Sequence, residues 1–133
     1  MFAQILPFTA LFVSTFLMLM GNGLSNVLIP LRASAEGWSA ISIGWIGTSY
    51  AFAFTIGCIA VPFLVRRVGH VRVHAILVTG LASSLLLNTL AIDPIAWAIA
   101  RCLAGFSLAG AYMVIESWLN DRASNTNRGL IFS

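Results

Sequence analysis

Arg101 is the residue in this 133-residue chain with the clearest chemical potential, because it interrupts the apolar run "PIAWAIARCLAGFSLAGAYMVI". A charge at such a place costs at least about 2.5–3.5 kcal/mol unless it is paired or wetted, so Arg101 is expected to face a bundle interior or a water-filled cavity. Asn22, flanked by Gly21 and Gly23, and Asn26 stand one helical turn apart in the first apolar stretch. Two inward amides would suit a solute pathway, and would equally suit hydrogen bonding between helices. Tyr50 is a weaker pathway candidate. Glu116 lies fifteen residues beyond Arg101, rotated by about 60° and displaced by about 22 Å along a helix, so the two can share a face but cannot pair. Snorkelling toward the nearer surface would account for Glu116 as well.

A second constellation is "VRRVGHVRVH" at 65–74, which gathers Arg66, Arg67, His70, Arg72 and His74 in one short connector. No nucleophile accompanies these histidines. The chain also lacks a glycine loop that would cradle phosphate and any histidine–carboxylate spacing that would hold a metal. Enzymatic activity, a cofactor and a metal site are therefore not expected. Cys58 and Cys102 lie inside apolar stretches with neither zinc-site nor CxxC spacing, and behave there as small hydrophobes.

The elements that must position these residues follow from composition. Hydrophobic residues make up 59% of the chain and charged residues 8%, against about half and about a quarter in soluble domains. Windows of about 20 residues, enough to cross roughly 30 Å of hydrocarbon, give spans near 5–31, 42–65, 73–92 and 95–119. The expected fold is an all-α membrane protein of four transmembrane helices, one unit over residues 1–133, with 120–133 as a tail or the start of a fifth span. Ala33-Ser34-Ala35 resembles a signal cleavage site, but the amino end has no Lys or Arg and the apolar segment is too long. The net positive charge sits at span ends with no soluble basic groove, which disfavours nucleic acid as a partner.

Arginines in short loops collect on the cytoplasmic side. The 65–74 connector is therefore expected inside, together with the amino terminus and the tail carrying Arg122 and Arg128, leaving 32–41 and 92–95 outside. Ser39 or Ser42 is expected to cap span two, and Asp93-Pro94 to open span four. Trp38, Trp45 and Trp97 suit an outer aromatic belt and Trp118 an inner one. Gly80, Ser84 and Asn88 recur every four residues in span three, as do Arg101, Gly105 and Ala109 in span four, forming one stripe per helix. Small residues on such stripes let helices approach closely in lipid, so packing is the expected role of Gly80 and Gly105.

Taken together, "RRVGHVR", "RCLAGFSLAGAYMVIESWLND" at 101–121, "NRG" at 127–129, "NVLIPLRA" at 26–33 and "IGWIGTSYAFAFTIG" at 43–57 resemble the major facilitator superfamily, most closely bacterial members with a Glu-Ser end to the fourth span. The resemblance covers the whole chain and about the first third of the family's usual twelve spans. It implies the amino-terminal part of a secondary active or facilitative transporter in the bacterial inner membrane. Such a protein moves a small solute by alternating access, with protons as a candidate coupling ion and the later spans, or another membrane subunit, as partners. Arg66, Arg67, Gly69 and Arg72 would belong to the cytoplasmic gating hairpin, where arginines also meet anionic lipid head groups. Arg101 and Gly105 would match the charged and close-packing positions of the fourth-span motif. The family's loop pattern opens with a glycine and carries an acid before its first arginine, where this chain has Pro62 and Arg66. Two other readings fit four apolar spans: a small oligomeric transporter, and a helix-packing partner that transports nothing.

Overall fold

The structure is a computed structural model that describes residues 2–122, with side chains from Thr9 to Asp121. The Asn-Arg-Gly run at 127–129 and Arg128 lie outside the described residues. Four helices follow one another: α1 (Phe2–Ala35), α2 (Ala40–Val68), α3 (His70–Leu90) and α4 (Pro94–Arg122). All four are long and apolar enough to cross a membrane. Three of them run several residues past the spans read from hydropathy, because backbone hydrogen bonding continues a helix beyond the hydrocarbon edge until a cap ends it.

Those caps are written locally. The end of α1 closes in a Schellman turn: Gly37 N–H bonds Ser34 O at 3.0 Å and Trp38 N–H bonds Ala33 O at 3.1 Å, with Gly37 at φ 78°. Of the two serines considered for the start of α2, Ser39 is the cap, accepting from Ser42 N–H at 3.2 Å. Asp93 Oδ2 accepts from the N–H groups of Ile95 and Ala96, both at 3.0 Å, and Pro94 takes the first helical position. Between α2 and α3 a single residue makes the reversal. Gly69, at φ 95° and ψ 156°, occupies backbone space essentially closed to other residues, while its N–H bonds Val65 O at 2.9 Å. Gly69→Ala is expected to destabilise the fold by about 1–3 kcal/mol, read as a lower thermal unfolding midpoint in detergent.

The helices alternate in direction, with α2 parallel to α4 and α3 antiparallel to it. The pairs Tyr50–Gly105 and Gly57–Phe106 ascend together, whereas His70 meets Ser117 and Gly80 meets Ser107. The centre of the bundle is α4, with 56% of its apolar window buried against 22% for each other helix. It packs closely on α2 and α3, while α1 touches the rest at fewer points.

Apolar burial gives little drive to associate in lipid, so close backbone approach and polar contacts must hold the helices together. A Cβ on Gly105 would enter the Tyr50 carbonyl oxygen and lie 3.1 Å from its carbon, and one on Gly57 would lie 2.8 Å from Phe106 O. Along α3, Ser84 is fully buried, and Gly80 faces Ser107 Oγ. Isolated hydroxyls in the apolar stretches satisfy themselves, as Ser25, Ser49 and Thr79 each donate to the carbonyl one turn earlier. Trp97 departs from the belt expectation. It is 3% exposed, packs edge-on to Trp38 at 4.7 Å, and donates its indole N–H to Ala91 O at 2.7 Å. It plugs the end of the core nearest the α1–α2 loop, beside Ile29, Ala33 and Ile46, because the rotation of α4 turns it inward. Trp45 is exposed.

Candidate functional site

Arg101 projects from the buried stripe of α4 and is 6% exposed. Its charge lies between two helices and meets two neutral groups. Nη2 donates to the Asn26 side-chain oxygen on α1, and the guanidinium carbon stands 4.1 Å over the centre of the Tyr50 ring on α2. The amide oxygen is a dipole aimed at the cation, and the ring face supplies quadrupole attraction. Among the described residues, no carboxylate pairs with Arg101. Three helices thus converge on one cation without neutralising it.

The local sequence explains how the site is held. Gly105, one turn below Arg101, brings α4 against the Tyr50 backbone, which sets the tyrosine ring under the guanidinium. Pro30, one turn beyond Asn26, has no N–H to give the Asn26 carbonyl, leaving a backbone acceptor on the same stretch of α1. Asn26, Pro30, Ile43, Ile46, Tyr50 and Arg101 are among the residues that line a cavity of about 260 Å³. Asn26 itself is exposed. Asn22, one turn earlier, is 7% exposed, and its side-chain oxygen has no partner among the described residues.

The other sequence candidates lie elsewhere. Glu116 is exposed at the opposite end of α4, about 22 Å from Arg101 along the helix. With Arg66, His70, Ser117 and Asp121 it lines a polar cleft of about 650 Å³. Arg67 and Arg72 are exposed beside the Gly69 reversal.

In the sequence the histidines stand in the connector with no partner marked for either, and the structure gives them specific neighbours. His70 Nε2 lies 3.0 Å from Ser117 Oγ and 3.4 Å from Asp121 Oδ2, an ion pair when the ring is protonated. Serine and aspartate share one ring nitrogen, so this is not a nucleophilic triad, which needs its two partners on opposite nitrogens. His74 Nε2 lies 3.3 Å from Ser14 Oγ on α1. That pair was invisible in the sequence because sixty residues separate its members. Among the described residues, no three His, Cys, Asp or Glu side chains gather as a metal site.

Four apolar helices around a buried, unneutralised arginine define a multi-pass membrane protein with a polar site inside its bundle. Residues 11–133 match the Major Facilitator Superfamily, and the chain belongs to that family. It is similar to the uncharacterized MFS-type transporter YcaD of Escherichia fergusonii, with 25% identity over 127 residues, 96% of this chain and 33% of that protein. YcaD of Escherichia coli O45:K1 is 24% identical over the same length and coverage. The chain spans about a third of the length of these curated relatives. No solved structure matches it.

Proposed function

We propose that residues 1–133 form one membrane-embedded unit of a secondary transporter that carries a small solute across a bacterial inner membrane by alternating access. The observation that carries this reading is Arg101, buried between α1 and α2 with Asn26 and Tyr50 as its partners among the described residues. A purely structural cation in an apolar bundle is expected to be paired, because an unneutralised charge there is costly. Arg101 instead lines a cavity, where an anionic or hydrogen-bond-accepting solute can supply the missing interaction. Asn26 and Tyr50 position the guanidinium, and Asn22 adds an acceptor one turn away.

The Arg66–Arg72 hairpin acts as the cytoplasmic gate. With Arg66 in the position where the family carries an acid, its closing contacts come from the α4 end, where Glu116 and Asp121 share the cleft with Arg66 and His70. The amino terminus is inside by the arginine count. Apolar side chains such as Phe12, Phe16, Leu24, Val27 and Leu31 are exposed on α1, a surface suited to lipid and to the further helices of a longer protein. The cavity's other wall comes from those helices.

Cysteine labelling tests the reading in the protein at its full natural length, with Cys58 and Cys102 replaced by alanine and single cysteines at 22, 26 and 101. A small polar maleimide is expected to react at all three positions, with the reactive side of the membrane switching when a proton gradient or a transported solute is applied. Position 101 is read together with 22 and 26, since its cysteine removes the arginine. Unreactive positions on both sides of a folded protein would make these packing residues and end the proposal.

A further inference from the structure

We infer that the cavity between α1, α2 and α4 takes the carboxylate of a small organic acid with an apolar body. The inference rests on the transport reading above and names the class of solute that this site accepts.

Charge is the first ground. Among the described residues, Arg101 is the only charged side chain on this cavity, whose other lining groups are neutral. The remaining charges lie toward the helix ends: Arg32, Glu36 and Asp93 at one side, and Arg66, Arg67, Arg72, Glu116 and Asp121 at the other. One guanidinium balances a monoanion, whereas a phosphate dianion would leave the cavity with net negative charge.

Geometry is the second ground. Tyr50 covers one face of the guanidinium, and Asn26 occupies one of its N–H donors. What remains is the planar edge, whose paired N–H groups match the two coplanar oxygens of a carboxylate. An ammonium or a neutral amide makes no such fork.

Size and polarity give the third. The part of the cavity that α1, α2 and α4 enclose, about 260 Å³, corresponds to roughly nine water volumes, room for a carboxylate and a short hydrocarbon body. Beyond the Arg101 end the lining includes Ile29, Pro30, Ala33, Ile43 and Ile46, which suits a hydrocarbon body and gives a second charge no partner.

Ligand-dependent thermal unfolding of the full-length protein in detergent tests this with matched probes: benzoate against benzamide and benzylamine, and butyrate against butyramide. At least one acid is expected to stabilise saturably, with apparent affinity roughly tenfold or more above its amide, and benzylamine is expected to do nothing. Arg101→Gln should abolish the effect. Arg101→Lys keeps the charge but loses the fork, and should weaken it roughly tenfold, which keeps the test decisive if the glutamine variant does not fold. Neither acid exceeding its amide, benzylamine stabilising instead, or an acid effect untouched by both variants would each overturn the inference. Labelling that still switches sides without acid binding would sink the acid site alone. Acid binding without switching would sink the transport reading and leave the site.

Discussion

Gly105→Ala is expected to lower the thermal unfolding midpoint of the protein in detergent and, at the same time, to loosen the Arg101 site. The added methyl has nowhere to go: it would enter the Tyr50 carbonyl oxygen, and would lie 3.1 Å from Tyr50 C and 3.2 Å from Phe54 N. All three atoms are backbone, so no rotamer change relieves the clash and α2 must move away from α4. Overpacking of this kind costs about 1–3 kcal/mol. Moving α2 also lifts the Tyr50 ring from beneath the guanidinium, where it now sits 4.1 Å away. Gly80→Ala is the matched control. There the closest obstacle, at 2.6 Å, is Ser107 Oγ, a side-chain atom that can rotate aside. Stability and labelling at position 26 should both stay near wild type in Gly80→Ala and change together in Gly105→Ala. Equal effects from the two substitutions would mean that the α2–α4 crossing does not position the site.

The contrast between these two glycines also marks how far the sequence can be read. Gly105 and Gly80 were both legible as packing residues from their four-residue stripes. Gly57 was not, although it faces the same crossing. Its span is so evenly apolar that no stripe stood out, and the signal that could have found it is Ala53 and Gly57 at helical spacing. Helix ends were legible where chemistry is local, as at Asp93-Pro94 and Gly69, since caps depend on a few neighbouring residues. Trp97 was misplaced because sequence gives depth along a helix better than rotation about it.

The site shows the same division. Each of its members was a candidate on type alone: a cation in an apolar run, two amides, a tyrosine. Which amide meets the arginine depends on the relative depth and rotation of α1 and α4, and neighbouring turns of α1 offered equal choices. The structure selects Asn26 and leaves the oxygen of Asn22 without a partner among the described residues. His74 and Ser14 were harder still, since neither carries a pattern that points at the other.

Asn26→Asp is expected to move stability and function in opposite directions. The substitution is nearly isosteric, and the side-chain oxygen at that position already accepts from Arg101 Nη2. A carboxylate would turn a contact between a cation and a neutral amide into an ion pair with charge on both partners, adding Coulomb attraction to the hydrogen bond already made. The desolvation cost on the aspartate side is offset where it arises, because residue 26 lines the cavity directly beside the guanidinium it would pair with. The unfolding midpoint should therefore rise. The same ion pair fills the guanidinium with a permanent anion, so a transported solute or coupling ion meets a neutralised site, and transport in proteoliposomes should fall roughly tenfold or more, the factor that corresponds to about 1.4 kcal/mol. Asn26→Ala should lower stability and leave the cation free. If Asn26→Asp is more stable and transports like the wild type, Arg101 is a structural residue and the pathway runs elsewhere. If it is less stable, the contact between α1 and α4 is not the one that holds the guanidinium.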